Sequence, residues 1–182
     1  MSAPKDNNDP IFCAAVRDLE EGNFSRLEPL FRNLSGASHA SCQIIEWYDL
    51  GYFKNEPKAL NEALACACFN GRTRVAKFLM DRGVDVIAGD ATGMNGFHSA
   101  ASRAHLETVK LLIERKVPME IKNMYGGTVL GQTVWSAIHE AGPDRSEVIK
   151  ALLDAGADVN AVGYPTGNAR VDEVLRCHGA KK

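Results

Sequence analysis

The feature that most constrains this chain is a segment that recurs in its second half. Its three full copies lie at 75–86, 108–119 and 148–159. Leu79 of the first copy and Leu112 of the second are 33 positions apart, and Leu152 of the third follows 40 positions later. A shortened fourth copy occupies 171–180. Each copy combines an amphipathic helical stripe with a stop, and such a unit must stack on a neighbour to complete its core.

Apolar spacing places two helices in the first of these repeats. Leu60, Leu64 and Cys68 fall on one face of the first predicted helix, and Gly71 ends it. Glycine suits that position because it adopts the left-handed backbone conformation at little cost. A second apolar stripe, around Leu79, predicts the next helix. The repeat unit is therefore a pair of helices joined by a short turn.

A period of 33 residues is typical of ankyrin repeats, and several segments resemble the ankyrin consensus. The matching segments are 83–93, 97–101, 104–107 and 156–161. The resemblance covers about residues 58–182, and in that family each repeat holds a β-hairpin and two antiparallel helices. It implies an all-α, ankyrin-repeat solenoid of helix-turn-helix units with short β-hairpin loops.

Alignment with the family also predicts one extended hairpin. The family's Thr-Pro-Leu-His turn falls on Glu62–Ala65 in the first repeat, on Asn95–His98 in the second and on Thr133–Ser136 in the third. The stretch Met124–Gln132 is then about five residues longer than a consensus hairpin, and its Gly-Gly pair permits a tight turn with a short extended return. The same alignment puts Trp135 on the leucine of the turn motif, which predicts that Trp135 packs in the core.

The residues before the repeats form three further parts. We predict a disordered tail at 1–8, an N-terminal capping repeat at 9–34 and an insertion at 35–57, followed by the ankyrin repeats and their truncated C-terminal cap at 58–182. In the capping repeat, Asp9 can cap a helix that has Pro10 in its first turn. Ile11 and Leu19 belong to the predicted apolar face of that helix. Pro29 should make the second helix start late or kink, because proline disrupts a helix interior.

The insertion carries a dense group of aromatic side chains in and after a short predicted helix at Cys42–Tyr48. The aromatic residues are Trp47, Tyr48, Tyr52 and Phe53. Two roles fit this group. It closes the N-terminal side of the solenoid as part of the core, or it forms an exposed contact patch.

Composition excludes several classes of function. The net charge of the 182-residue chain is −2, so no basic excess exists to neutralise nucleic-acid phosphates. No apolar run approaches the roughly 20 residues of a spanning helix, and Met1–Pro10 lacks the apolar stretch of a signal peptide. An odd count of five cysteines favours reduced thiols and a cytoplasmic location. We expect a monomer with no nucleic-acid and no membrane partner.

Few residues in the chain suggest catalysis or metal binding. Cys66 and Cys68 lie two positions apart in a predicted helix, so their side chains point about 200° apart and cannot clamp one metal ion. Cys68 and His98 are a conceivable catalytic pair, but the resemblance assigns His98 a structural place in the ankyrin turn. We therefore expect no catalytic residue, no metal site and no cofactor.

The resemblance implies a non-catalytic protein–protein interaction module that binds its partner through a concave groove and hairpin tips. The family's variable surface positions fall on Asn70, Thr92, Met94, Ser102, Arg103, Met124, Tyr125, Gln132, Glu140 and Tyr164. The alternative hypothesis is an enzyme, or a sensor of a small molecule or metal, that uses the insertion and the Cys68/His98 region.

Overall fold

The computed structural model describes residues 9–32, 42–90 and 92–181, and all regular secondary structure in these ranges is helical. The α-helices are α1 Pro10–Glu20, α2 Phe24–Leu27, α3 Gln43–Asp49, α4 Pro57–Phe69, α5 Thr73–Met80, α6 Gly96–Ser102, α7 Leu106–Glu114, α8 Val129–His139, α9 Ser146–Asp154 and α10 Ala169–Cys177. Single turns of 3₁₀-helix lie at Glu28–Phe31, Tyr52–Asn55 and Val159–Ala161. The chain divides into two compact units, Met1–Asp85 and Val86–Lys182. The predicted tail at 1–8 lies outside the described residues.

Helix α1 opens the first unit with the predicted cap. The Asp9 carboxylate accepts hydrogen bonds from the backbone N–H groups of Ile11 at 2.9 Å and Phe12 at 3.4 Å. Phe12 and Leu19 are buried, whereas Ile11 is 62% exposed. The predicted apolar face was therefore wrong at Ile11, because the buried stripe of α1 runs through its neighbour Phe12.

Pro29 changes the geometry of the next helix as the sequence predicts. Helix α2 ends at Leu27, and Glu28–Phe31 continues as a 3₁₀ turn with the proline near its start. Proline lacks the N–H that an α-helical hydrogen bond needs. Leu27 and Phe31 are both buried against the unit. The assignment of 9–34 as a capping repeat stays a prediction.

The aromatic group of the insertion belongs largely to the core of the first unit. The ring centroids of Trp47, Tyr52 and Phe53 each lie 5.2 Å from that of Phe12, in edge-to-face geometry. Trp47, on α3, and Phe53 are buried. Edge-to-face contacts of this kind stabilise beyond the area they bury. For these two side chains the structure supports the core alternative over the contact patch.

Helix α4 runs without interruption through Glu62, where the family alignment placed a turn. Its buried small side chains, Ala59, Ala63 and Ala67, make room for close packing with α1 and α5. The thirteen-residue α4 therefore replaces the consensus turn and short first helix of this repeat.

The second unit consists of two stacked helix pairs and a final helix. Helix α6 packs on α8, α7 packs on α9, and each first helix also contacts its own second helix. Helix α10 packs against α9. Fully buried side chains fill the space between the pairs, namely Phe97, Leu112, Leu130, Ile149, Leu152 and Leu175.

The first helices of the two pairs begin with matching caps. The Asn95 side chain accepts a hydrogen bond from the Phe97 N–H at 3.0 Å, and the Thr128 hydroxyl accepts one from the Gly131 N–H at 3.1 Å. Asn95 and Thr128 are 33 positions apart, which is one repeat period. Leu130, only 1% exposed, is therefore the equivalent of Phe97.

This register corrects two predictions from the sequence. Trp135 does not occupy the core position of the turn motif, and its side chain is 50% exposed. Met124–Gln132 is not an extended hairpin, because the chain is helical from Val129 onward. Only a tight turn remains, closed by a hydrogen bond from the Asn123 N–H to the Gly127 carbonyl at 3.0 Å.

The part of the chain that the structure describes also contains no β-strands at the loops where β-hairpins were expected. The tips are held by isolated turn bonds instead. The Asp90 N–H donates to the Met94 carbonyl at 3.0 Å, and the Met124 N–H donates to the Thr92 carbonyl at 2.8 Å. The first bond closes one tip and the second links two neighbouring tips, and neither builds a ladder.

The extra residues of the third repeat follow the start of α8. Helix α8 has 11 residues where α6 has 7, and residues 140–145 connect α8 to α9 where only 103–105 connect α6 to α7. Arg145 is buried and fixes this longer connection. Its Nε donates to the Ser102 carbonyl at 2.5 Å, and its Nη2 lies 3.3 Å from a Glu140 carboxylate oxygen.

The register of α8 predicts an unequal pair of substitutions. Leu130→Ala should lower the free energy of unfolding by about 2–5 kcal/mol, because it leaves a cavity in the core. Trp135→Ala should lower it by less than about 1 kcal/mol, because half of the side chain already faces solvent. Urea unfolding followed by circular dichroism measures both. A larger loss for Trp135→Ala than for Leu130→Ala would contradict the register.

Candidate functional site

An open groove of about 870 Å³ follows the exposed face of α8 in the second unit. We call it the α8 groove. Its apolar lining consists of Met94, Val134, Trp135, Ile138, Ala161, Val162 and Pro165. Its polar lining includes Asn123, Gln132, His139 and Thr166, and Tyr125 stands with glycines at its edge. The groove is more than twice as large as the shallow cleft of about 370 Å³ beside Asp144 and Arg170.

Helical spacing brings the main side chains of the groove onto one face of α8. Trp135, Ile138 and His139 are related by three and four positions, which places them side by side. The ring centroids of Trp135 and His139 are 5.1 Å apart, with their planes inclined by 44°. Because Trp135 corresponds to Ser102 at the end of α6, Ile138 and His139 lie on the additional helical turn. The extra residues of this repeat thus build one wall of the groove.

Large apolar side chains are unusually exposed around the groove. Tyr125 is 76% exposed, Trp135 is half exposed, and Ile138 is also exposed. Met124 is exposed next to Tyr125. No Lys, Arg, Asp or Glu side chain belongs to the lining within the described ranges. Exposed apolar groups concentrated at one concave site are typical of an interaction surface.

The side-chain amide of Asn123 organises the floor of the groove. The Asn123 Oδ1 accepts hydrogen bonds from the backbone N–H groups of Tyr125 at 3.0 Å and Gly127 at 2.9 Å. Its Nδ2 donates to the Gln132 Oε1 at 3.1 Å. A Cβ at Gly127 would approach the Asn123 side chain to 3.3 Å. Asn123 therefore fixes the tight turn that carries Tyr125 at the edge of the groove.

The opposite wall is tied to α10. Both the N–H and the hydroxyl of Thr166 donate to the Asp172 carboxylate at 2.7 Å. These hydrogen bonds from Thr166 hold the pKa of Asp172 below its usual value. The segment containing Pro165 is thereby anchored to the helix that follows it.

Six of the ten predicted partner-binding residues lie in or beside the groove. Met94, Tyr125 and Gln132 line it. Thr92 is joined to Met124 by the bond between neighbouring tips. Tyr164, also predicted, is half-buried and precedes the lining residue Pro165 in the chain.

The other predicted residues lie elsewhere. Ser102 is buried at the end of α6, so its side chain is not accessible to a partner, and that prediction is corrected. Arg103 is exposed next to it, and Glu140 is exposed and paired with Arg145. Asn70 belongs to the first unit, where its Nδ2 donates to the Phe24 and Cys66 carbonyls at 3.2 Å and 3.1 Å.

Three groove residues, Trp135, Ile138 and His139, were missed by the sequence analysis. The cause was the misplaced turn motif, which assigned Trp135 to the core. The signal that identifies them is the 33-position spacing from Asn95 to Thr128, which starts α8 five residues earlier.

The thiols of the alternative hypothesis are inaccessible. Cys66 and Cys68 are fully buried. Burial raises the pKa of the Cys68 thiol to about 12, and burial also raises that of Cys66. A protonated thiol is a poor nucleophile and a poor metal ligand. In 9–32, 42–90 and 92–181, no three His, Cys, Asp or Glu side chains are grouped to hold a metal ion.

His98 has a structural place in the turn before α6. The side chain is fully buried. The Asn95 N–H donates a hydrogen bond to its Nδ1 at 3.5 Å, and its Nε2 lies 3.3 Å from the Gly127 carbonyl oxygen. Burial lowers the pKa of the imidazole. His98 therefore completes a capping box and links two neighbouring tips.

Stacked helix pairs with capped first helices at a 33-residue spacing define a helical repeat protein. Two overlapping matches to the family model described as ankyrin repeats (3 copies) cover residues 35–123 and 64–162. Together they extend over more than half of the chain, which belongs to the ankyrin repeat family. No curated protein matches the chain. Among its described residues, no helix is both long enough and apolar enough to cross a bilayer.

The two shifted histidines of the second unit predict opposite pH dependences. The pKa of His98 is lowered in the folded state, so below about pH 6.5 the unfolded chain binds more protons there and acid destabilises the fold. The pKa of His178 is raised, chiefly by its hydrogen bond with Asp154. Its stabilising contribution is present below about pH 6.5 and is lost as pH rises through the folded pKa.

Urea unfolding at pH 5.5 and pH 7.5 tests this prediction. His98→Gln should lose less stability on acidification than the wild-type chain does. His178→Gln is the matched control, and it should lose more. Equal pH dependence in all three proteins would show that neither histidine is coupled to folding as described.

Proposed function

We propose that this ankyrin-repeat protein is a non-catalytic binding module that holds a peptide segment of another protein in the α8 groove. Ankyrin repeats are generally protein–protein interaction modules. The observation that carries the proposal is the half-exposed Trp135 at the centre of an uncharged groove. Tryptophan and tyrosine are enriched among the residues that dominate binding energy at interfaces.

The shape and lining of the groove favour a peptide segment over a small metabolite. A volume of about 870 Å³ is within the range of ligand sites, but this site is open along the side of α8. Its polar floor, around Asn123, is used for internal hydrogen bonds and offers few groups that would fix a small polar ligand.

The enzyme and sensor alternative has less support. Cys66, Cys68 and His98 are buried and engaged in the fold. Among the described residues that line the groove, His139 is the only histidine, and the lining contains no Cys, Asp, Glu, Lys or Arg. A single exposed imidazole without an orienting partner is a weak basis for catalysis.

The proposal includes the setting in which the module acts. All five cysteines are free thiols, which fits a reducing compartment. We therefore place the chain in the cytoplasm, as a monomer whose partner is another protein.

Peptide selection tests the groove directly. Peptides selected from a random display library against the full chain should bind Trp135→Ala at least about tenfold more weakly than wild type. Leu50→Ala is the matched control, because Leu50 is an exposed large apolar residue in the first unit. Fluorescence anisotropy gives the Kd values, and thermal melts verify that each variant is folded. Selected peptides that bind both variants and the wild type equally would place the binding site elsewhere.

A further inference from the structure

Two exposed side chains of the α8 groove, those of Trp135 and Tyr125, offer open hydrogen-bond donors. Within the described residues, the indole N–H of Trp135 and the hydroxyl of Tyr125 have no hydrogen-bond partner in the protein. Both side chains are exposed and border the same groove. An indole nitrogen can only donate, and a phenol donates readily. An occupant of the groove therefore meets these two donors first.

Apart from the His139 imidazole and the Tyr125 hydroxyl oxygen, the side-chain acceptors of the groove are already in use. The Asn123 Oδ1 accepts two backbone N–H groups, and the Gln132 Oε1 accepts the Asn123 Nδ2. The Thr166 hydroxyl donates to Asp172 and accepts from the Asn168 N–H at 3.2 Å. An occupant that brings many N–H donors would leave most of them poorly satisfied, and buried unsatisfied donors are costly.

Charge restricts the occupant further. No charged side chain lines the groove in the described part of the second unit, and Arg145 and Glu140 nearby are paired with each other. A charged group entering this apolar lining would lose water without gaining a counter-ion. The occupant should therefore be uncharged.

We infer that the α8 groove takes an uncharged, proline-rich segment in the polyproline II conformation. Proline has no N–H, its ring packs flat against aromatic faces, and its carbonyl is free to accept a hydrogen bond. The indole of Trp135 and the ring of Tyr125 supply those faces and the two donors. This inference rests on the proposed function and specifies the partner of the same site.

The length of the groove defines the size of the recognised segment. The lining residues of α8 extend from Gly131 to His139, which is about 12 Å at the helical rise. Polyproline II advances about 3.1 Å per residue, so about four residues lie along α8. A decapeptide is long enough to cover the groove in any register.

The test uses the two indole N–H signals of the ¹⁵N-labelled full chain, since the sequence has only Trp47 and Trp135. Capped decaproline should shift the Trp135 signal downfield as its N–H bonds a carbonyl. The signal of Trp47, which is buried, is the internal control and should not move. A capped (Ala-Ser)₅ peptide and a capped (Pro-Glu)₅ peptide should have little effect at the same millimolar concentration.

Two variants refine the measurement. Trp135→Phe keeps an aromatic face but removes the donor, so the Kd for decaproline, read from the Gly127 amide signal, should rise about fivefold, as expected for one lost hydrogen bond. Tyr125→Phe should have a similar effect. Leu50→Ala, the control outside the groove, should leave the Kd unchanged.

The outcomes separate this inference from the proposed function. If library-selected peptides shift the Trp135 signal and decaproline does not, the proline-rich occupant is wrong and the binding groove stands. If neither shifts it, both are wrong. An equal response to (Ala-Ser)₅ or (Pro-Glu)₅ overturns the inference, and so does a shift of the Trp135 signal on dilution alone, because a second copy of the chain would then be the occupant.

Discussion

The hydrogen bond from the Gly131 N–H to the Thr128 hydroxyl fixes where α8 begins, and the arrangement of the second unit depends on that start. One period earlier, the Asn95 side chain accepts the equivalent bond from the His98 N–H at 3.2 Å and caps α6. With both helices in this register, Leu130 packs inward beside Phe97 and Trp135 turns outward. A shift of the cap by five residues would exchange these roles, because side-chain direction on a helix changes with every position.

This register explains where the extra residues of the third repeat lie and what they build. They extend α8 by one turn and lengthen the connection to α9, and neither change disturbs the stacking of the first helices. The added turn carries Ile138 and His139 beside Trp135. Arg145 secures the longer connection by bonding the end of α6. An insertion that would otherwise be a loose loop thus becomes one wall of a groove.

Much of the fold could be predicted from the sequence because its signals are local. The repeat period, the Asp9 cap and the disruption at Pro29 each depend on a few neighbouring residues, and the structure has the cap and the disruption as expected. The match to the ankyrin family confirms the repeat assignment.

The groove could be predicted only in part, for a physical reason. Two Thr-Val pairs, at Thr128 and Thr133, both resemble the start of the turn motif, and local pattern does not choose between them. The 33-position spacing from Asn95 to Thr128 identifies Thr128 as the start of the motif, because equivalent helices of stacked repeats begin at equivalent positions. The exposed position of Tyr125 at a tip does not depend on the register, and its role in partner binding stays a prediction. The bond from Arg145 to the Ser102 carbonyl joins residues 43 positions apart, which no local pattern encodes.

The most direct test of the register, on which the groove depends, is acrylamide quenching of tryptophan fluorescence in two single-tryptophan variants. Trp47→Phe leaves only Trp135, which should be quenched readily and emit at long wavelength, because half of its side chain faces solvent. Trp135→Phe leaves only Trp47, which should be shielded and emit at short wavelength. Circular dichroism verifies that both variants are folded. A shielded Trp135 in the folded Trp47→Phe variant would contradict the account, since it would place that side chain in the core and remove the groove's central residue.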